Sequence, residues 1–345
     1  MYSIEIRGPV SAKFRSRSLA QGANAVSVPM RLMPGRMTKA RRDGRGDNPE
    51  EWIMSEKELD YATLLNAGNE RYCFSRRNRI AYPDGEVVDW YGYRRHNFEL
   101  DGRKGFIVEP PHPAAGLPWS WCLQWADSFV PRTPALKLLE RGFHHVHFDV
   151  FPTYMNEEGV RALEKFYALL QSMHFHKKAA LFGMSYGGLF SLRWAAEHPE
   201  TVGVMWLDAP VCSLAFAAER NESNASPADL ERYRGEARKH LAAYRAADCE
   251  GLVRHPLNPL NNVLPIARAG IPILAIRSGQ DQTVLPASNI DVLEKRLLAA
   301  GGKIHVIRRD FYGHHPHGLD DPAPLADFIL QYYPELPDPE AVGGR

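Results

Sequence analysis

Residues 179–196 read AALFGMSYGGLFSLRWAA, and this stretch decides the fold. An apolar run of strand length, 179–182, leads into the pattern Gly-x-Ser-x-Gly at 183–187, and residues 189–196 have the composition of a buried helix. A serine between a strand and a helix in this pattern is pushed out above a sheet, where a substrate can reach its hydroxyl group. Glycine is expected at 183 and 187 because side chains there would collide with neighbouring backbone. Ser185 is therefore the candidate nucleophile.

The helix predicted after Ser185 also has chemical consequences. Its first N–H groups have no partners within the helix and carry a partial positive charge, so they can stabilise an anion beside the serine. Tyr186 N–H is the first candidate for such an oxyanion donor.

Short apolar runs alternate with helical patterns from about residue 92 onward, which is typical of parallel strands joined by crossover helices. The strand-like runs are 105–108, 117–123, 143–150, 179–183, 202–209, 271–276 and 303–308. The helical patterns are 135–140, 157–173, 186–197, 288–299 and 324–333. We predict an α/β fold whose mostly parallel central sheet is flanked by helices.

The alternation also suggests how the chain is divided. Residues 91–211 and 268–333 form the predicted core, and 212–267, with a charged helix at 227–246, form a helical cap insertion over the strand ends. Residues 1–90 are an extension in which 71–74 and 86–90 could pair as a hairpin around the turn Tyr82-Pro83-Asp84-Gly85. The basic stretch 31–45 is interpreted as a solvated loop, and 334–345 as a tail.

A serine nucleophile needs a base within hydrogen-bond reach and an acid that orients the base. The loop at 311–318 follows the last predicted strand and contains three histidines. We favour His314 because it comes directly after Gly313 at the strand exit, with His315 and His317 as alternatives.

Two aspartates compete for the role of acid. Asp281 lies just past the end of the strand at 271–276, where it could hold the imidazole in the required tautomer. Asp208 ends the preceding strand, and its carboxylate could also reach the histidine.

The histidines also raise the alternative of a metal site. His144, His145 and His147 could join the three at 314–317 as zinc ligands, but alternate side chains of a strand point to opposite faces. The four cysteines are scattered without the close spacing of a zinc site. We expect no metal and no cofactor.

Three pieces of the sequence, 183–188, 208–212 and 313–317, together resemble a group of bacterial α/β-hydrolase-family proteins of poorly defined substrate. The resemblance covers roughly 90–333. It implies that a second oxyanion donor comes from the backbone just after Trp121, at Cys122 or Leu123. Two departures stand out: Cys122 occupies the position of an arginine in the group's Trp-x-Trp-Arg pattern, and Gln282 occupies the usual position of the acid.

Three tryptophans lie close together in this part of the chain. Trp119, Trp121 and Trp125 are candidates for a sugar-binding or aryl-binding subsite, since indole rings give broad apolar contact and a hydrogen-bonding edge. Packing in the core is the alternative.

Charge and hydropathy limit the classes of partner. The 345 residues carry a formal charge of +1, which gives no reason to expect nucleic acid or an anionic membrane as a partner. No run of about 18 apolar residues occurs, and the first residues lack the pattern of a signal peptide. We therefore expect a small-molecule substrate and favour a cytoplasmic location, and the sequence does not indicate an oligomeric state.

Taken together, the motifs favour a serine hydrolase that cleaves a carboxylic ester through an acyl-enzyme. Acyl transfer, or hydrolysis of an amide or lactone, would use the same residues. A non-catalytic binding protein that keeps the fold is a third hypothesis, disfavoured by the presence of all three candidate side chains.

Overall fold

The computed structural model describes residues 3–5, 80–218 and 226–336. Most of the extension, including the strand predicted at 71–74 and the basic stretch 31–45, lies outside the described residues. So do residues 219–225 of the predicted insertion and 337–345 of the tail.

The strands of the described residues form one ten-stranded sheet. They are β1 (Ser3–Glu5), β2 (Val87–Trp90), β3 (Tyr93–Leu100), β4 (Arg103–Glu109), β5 (Trp119–Cys122), β6 (His144–Phe148), β7 (Ala179–Met184), β8 (Val202–Asp208), β9 (Pro272–Ser278) and β10 (Lys303–Arg309). Their spatial order is β1-β10-β9-β8-β7-β5-β6-β4-β3-β2. Strands β5 to β10 pair in parallel, whereas β2, β3 and β4 at one edge and β1 at the other pair antiparallel.

Helices lie between most of the parallel strands. They are α1 (Ala135–Leu139), α2 (Glu157–Ser172), α3 (Tyr186–Glu197), α4 (Pro227–Tyr244), α5 (Cys249–Arg254), α6 (Val263–Arg268), α7 (Ile290–Ala299) and α8 (Ala323–Tyr332). Short 3-10 helices are found at Val130–Arg132, Phe151–Thr153, Pro199–Thr201, Pro259–Asn261 and Pro286–Ser288. The predicted fold class, a mostly parallel sheet flanked by helices, is confirmed.

Local sequence explains where two of these helices begin. The Asn156 side chain accepts hydrogen bonds from the N–H groups of Glu158 and Gly159, which caps α2. Ser226 caps α4 in the same way by accepting from Asp229 N–H. Helix α2 then buries an apolar stripe against the sheet at positions three and four residues apart, namely Val160, Leu163, Phe166 and Leu170.

The strand at 87–90 pairs with a partner that the sequence did not predict. It pairs with β3, across a turn at Tyr91 and Gly92 whose φ angles are 55° and 84°. Positive φ at both central residues is the backbone that suits a tight hairpin. The sequence does not predict β3, because its pattern, YRRHNFEL, is mostly polar.

The two faces of the sheet carry separate apolar cores. One contains Trp119, Trp121, Phe166 and Trp194, and the other contains Phe106, Phe143, Phe182 and Trp206. Of the four cysteines, Cys122 and Cys212 are buried free thiols and Cys249 is an exposed one. Among the described residues, no helix is long and apolar enough to cross a membrane.

Two adjacent histidines of β6 are enclosed by these cores. His144 Nε2 lies 2.9 Å from Tyr82 Oη, and His145 Nδ1 lies 2.8 Å from Ser120 Oγ. Burial lowers the pKa of each of them to about 3. In the unfolded chain a histidine titrates near pH 6.5, so between these values the unfolded chain binds protons that the folded chain does not. The contribution of neutral His144 and His145 to the free energy of unfolding is therefore fully present above about pH 6.5 and is lost as the pH falls toward 3.

We predict that the free energy of unfolding decreases below about pH 6.5, by about 1.4 kcal/mol per pH unit for each of these two histidines. Urea unfolding followed by circular dichroism at several pH values gives the slope. The double substitution His144→Gln/His145→Asn removes both imidazoles and makes the slope shallower by their share, whereas His174→Gln, at an exposed position, keeps the parental slope. A slope that the double variant retains would contradict this origin of the acid sensitivity.

Candidate active site

Ser185 lies between β7 and α3 with φ +50° and ψ −118°. Strand β7 is buried along its whole length, so its end is fixed, and hydrogen bonds hold the turn that follows. Ser185 N–H donates to Asp208 O at 3.0 Å, and Ser185 O accepts from the N–H groups of Gly188 and Val211 at 2.9 Å each. The turn is thus tied both to its own helix and to the end of β8.

Glycine is sterically required at two positions around Ser185. A Cβ atom built on Gly183 would lie 2.7 Å from Leu207 Cδ2, and one built on Gly188 would lie 2.3 Å from Pro210 Cβ. At Gly187 the nearest atom would be Gln124 O at 3.5 Å, an ordinary contact. The prediction of crowding holds for Gly183 and is wrong for Gly187, because the elbow packs on the loop after β8 through Gly188.

His314 and Asp281 are the partners that the structure brings to Ser185. His314 Nε2 lies 3.0 Å from Ser185 Oγ, and His314 Nδ1 lies 2.7 Å from Asp281 Oδ2. The other carboxylate oxygen, Asp281 Oδ1, accepts from the N–H groups of Thr283 and Val284 at 2.8 and 2.9 Å. His314 and Asp281 are 8% and 1% exposed, so water competes weakly for these hydrogen bonds.

Two neighbouring strands supply these groups. Asp281 follows β9 and His314 follows β10, and the two loops are joined by a hydrogen bond from Gln280 N–H to Tyr312 O at 2.9 Å. Because β7, β9 and β10 belong to one parallel set, their carboxyl ends meet at the same edge of the sheet.

The alternative base and acid candidates lie elsewhere. His315 is exposed overall, and partial desolvation of its ring together with the neighbouring His314 and His317 lowers its pKa. His317 is buried, with Nδ1 at 3.3 Å from Asp208 Oδ1. Asp208 also contacts Arg309 Nη2 at 3.3 Å. Asp208 therefore pairs with His317, and Asp281 is the carboxylate that contacts His314.

The predicted oxyanion donors are only partly placed beside Ser185. Tyr186 begins α3, so its N–H belongs to the free first turn. Cys122 ends β5, and Leu123 N–H donates to Phe182 O at 3.4 Å. Neither Cys122 nor Leu123 lines the cavity at Ser185, so the cavity gives the prediction for these two residues no support.

The next two residues of this loop come closer to the elbow. Gln124 N lies 3.6 Å from where a Cβ on Gly187 would be, and Trp125, with φ +64°, lines the cavity at Ser185. Sequence reasoning missed this register because the strand-like run 117–123 does not show which residue ends the pairing with β7.

A cavity of about 410 Å³ opens at Ser185 and His314. Most of its wall is aromatic or aliphatic, from segments far apart in the chain: Trp125, Phe129, Phe151, Tyr186, Phe216, Tyr233 and Val284. Trp119 and Trp121 were predicted to line a subsite with Trp125, but both are fully buried in the core. Only Trp125 of the three tryptophans faces the cavity. No local pattern marks the other aromatic residues, since each is isolated in its own segment.

The α4 helix from the predicted cap contacts the residue next to the nucleophile. Tyr186 Oη donates to Glu236 Oε2 at 2.8 Å and lies 3.2 Å from His240 Nε2. Burial and the Glu236 carboxylate raise the pKa of Tyr186, so its phenol stays protonated. Burial lowers the pKa of His240 to about 4. Tyr186 thus links the elbow to α4 through its contacts with Glu236 and His240.

The six-histidine zinc set considered from the sequence is not brought together. His144 and His145 lie within the cores, on opposite faces of β6, and have the partners given above. Among the described residues, only His314, His315 and His317 form a group with metal-ligand spacing, their nitrogen atoms lying within 4.8 Å of one another. Both ring nitrogens of His314 already face Ser185 and Asp281.

Comparisons with known proteins agree with this architecture. A family model described as "alpha/beta hydrolase fold" matches residues 152–248, which include Ser185 and all of α4. Curated protein sequences give no match.

Solved structures of similar fold include two peptidases. A Bacteroides ovatus structure assigned as a dipeptidyl aminopeptidase IV has a TM-score of 0.51 at 15% identity, over 70% of this chain and 35% of that one. Acylaminoacyl peptidase of Pyrococcus horikoshii has a TM-score of 0.51 at 13% identity, over 75% and 46%. S-formylglutathione hydrolase of Agrobacterium tumefaciens has a TM-score of 0.49 at 13% identity, over 72% and 97%. This chain spans less than half of either peptidase, and identities this low establish the fold alone.

The crowding around Gly188 leads to a stability prediction. Gly188→Ala places a methyl group against Pro210 and should decrease the free energy of unfolding by about 1–3 kcal/mol. Gly187→Ala is the matched control, because its methyl group meets only ordinary contacts and alanine favours the helix. Thermal unfolding of both variants and the parent measures the difference, and equal stability of the two variants would contradict the packing described here.

Proposed function

We propose that this chain, which has the α/β-hydrolase fold, is a serine hydrolase that cleaves a carboxylic ester. One observation carries the proposal: Ser185 Oγ, His314 and the Asp281 carboxylate form a continuous hydrogen-bonded series at 3.0 and 2.7 Å. The series borders a cavity that can hold a small molecule.

The geometry supports a two-step acyl-enzyme mechanism. Asp281 accepts from His314 Nδ1–H, which leaves Nε2 free to accept the Ser185 proton as the hydroxyl oxygen attacks the ester carbonyl carbon. The resulting imidazolium is stabilised by Asp281 and returns its proton to the leaving alkoxide, which departs as an alcohol. Water, deprotonated by His314, then attacks the acyl-enzyme and releases the acid.

The carbonyl oxygen becomes negatively charged during both attacks. Tyr186 N–H, at the free first turn of α3, is the first donor to this oxyanion. We place the second donor at Gln124 N–H or Trp125 N–H. Gln124 lies beside the elbow at Gly187, and Trp125 lines the cavity.

The cavity favours an ester with an apolar group next to the scissile bond. Apart from histidines, its charged residues are Arg232 and Glu236, and both have partners. Arg232 lies 3.5 Å from Asp229 Oδ1 and 3.0 Å from Tyr233 Oη, and Glu236 contacts Tyr186 and Lys239. The aromatic wall is therefore the main source of binding energy, through burial of apolar surface.

We expect hydrolysis of p-nitrophenyl esters by the purified protein and a loss of about 10⁴-fold or more in kcat for Ser185→Ala. Ser191→Ala is the matched control, since Ser191 is a buried serine of α3, the helix that follows Ser185, and has no hydrogen-bond partner. It should keep parental activity. The release of p-nitrophenolate, followed by absorbance, measures all three proteins.

The same panel tests the nature of the acyl group. From acetate to hexanoate, kcat/KM should rise about fourfold per methylene, as expected for burial of about 0.8 kcal/mol each. Best activity on acetate would contradict an apolar acyl site. Equal activity of the parent and Ser185→Ala would remove the serine mechanism, and turnover of p-nitroanilides but not esters would redirect the proposal to amides.

A further inference from the structure

A second Asp–His pair lies beside the proposed catalytic pair. His317 Nδ1 lies 3.3 Å from Asp208 Oδ1, and the rings of His314 and His317 are 4.8 Å apart between centroids, at 80°. Asp208 and His317 are 0% and 2% exposed. The mechanism proposed above uses neither of these buried polar side chains.

Asp208 holds the loop that carries both histidines. Its Oδ2 accepts from Gly318 N–H at 2.6 Å, so a carboxylate at the end of β8 fixes the backbone four residues after His314. A hydrogen bond from a backbone N–H to a carboxylate is stronger than one between neutral groups.

Arg309 holds the same loop from the end of β10. Its Nη1 donates to Gly318 O at 2.8 Å and to Pro316 O at 3.2 Å, and its Nη2 donates to Ser278 Oγ at 2.8 Å. The Arg309 and Asp208 side chains are both fully buried, with Nη2 and Oδ1 at 3.3 Å. Removing one partner of such a pair leaves an uncompensated charge in the interior.

We propose that Asp208, Arg309 and His317 are positioning residues for the reaction proposed above, which fix the His314 loop and keep its surroundings electrically neutral. This inference rests on the proposed function, because positioning has meaning only if His314 is the base. Asp208 supplies the negative charge that compensates Arg309, and His317 provides a rigid ring against which His314 packs.

The charge balance around His314 makes the proposal distinct from a purely structural role. The charged and titratable groups around the His314 loop come from four places. Asp310, Tyr312, His315 and His317 belong to the loop or adjoin it, and the Tyr312 ring lies under the Arg309 guanidinium at 4.9 Å. Asp281 follows β9, and Asp208 and Arg309 end β8 and β10. Arg132 with its partner Asp320, and Arg232 and Glu236 of α4 across the cavity, complete the set among the described residues. Without the Asp208 carboxylate, the Arg309 guanidinium would disfavour the imidazolium form of His314 that the transition state requires.

The test compares Asp208→Asn with the parent on a p-nitrophenyl ester over a range of pH. We expect kcat to fall about 10- to 100-fold with KM nearly unchanged, as for a misplaced catalytic group. We also expect the acid side of the kcat/KM profile to move to lower pH, because the uncompensated Arg309 repels the proton from His314.

The double variant Asp208→Asn/Arg309→Gln separates the effect of an uncompensated Arg309 charge from the effect of losing the hydrogen bonds that hold the His314 loop. It carries no surplus charge, so the acid side of its profile returns to the parental position, while kcat stays low because the loop has lost its anchors. If Asp208→Asn alone does not fold, the double variant still decides, and parental kcat in it overturns the proposal.

Glu294→Gln is the matched control. Glu294 accepts from Arg308 Nη2 at 2.9 and 2.8 Å, and Arg308 is the neighbour of Arg309 whose side chain points to the opposite face of β10. This variant should keep the parental kcat and pH profile. If the parent is active and Asp208→Asn shows parental kcat or an unshifted profile, the inference is overturned while the proposed function stands. An inert parent would end both.

Discussion

The backbone of Ser185 is the constraint on which the site depends. A residue other than glycine with φ +50° and ψ −118° lies outside the favoured regions, and holding it there costs of order 1–3 kcal/mol. The cost is offset by the hydrogen bonds that Ser185 makes through its N–H and C=O groups to the end of β8 and to α3. Crowding at Gly183 and Gly188 shows how closely these elements approach. Strain in the turn thus raises the hydroxyl group above the sheet edge.

The sheet order then brings the partners to the same place. Strands β7, β8, β9 and β10 are consecutive neighbours in space, and each ends in a polar group used at or behind the site. Ser185 follows β7 and Asp281 follows β9, while Asp208 and Arg309 are the last residues of β8 and β10. The buried Asp208–Arg309 pair joins the two strands on either side of Asp281. In this arrangement, the groups that contact one another come from neighbouring strand ends and short loops.

Much of this was predictable because it depends on local pattern. The strand-like runs and the helical patterns correspond to elements of the sheet and its flanking layers, and the places of Ser185, His314 and Asp281 directly after strands make them predictable candidates. Other features depend on contacts between distant segments. Whether Trp119 and Trp125 face the core or the cavity follows from where β5 ends, and the Asp208 side chain could be assigned only once Arg309 and His317 were seen beside it. The polar strand β3 is hidden from pattern analysis because it is the second strand from the edge of the sheet, in its antiparallel part, where burial does not enforce an apolar pattern.

The central claim is that His314 activates Ser185 as a nucleophile. Incubation of the purified protein with a fluorophosphonate, followed by digestion and mass spectrometry, tests this without any knowledge of the natural substrate. The account predicts one adduct, on Ser185, which is lost when the protein is unfolded first and when His314 is replaced by alanine. An unmodified Ser185, or labelling of Ser185 at the same rate in His314→Ala, would contradict it.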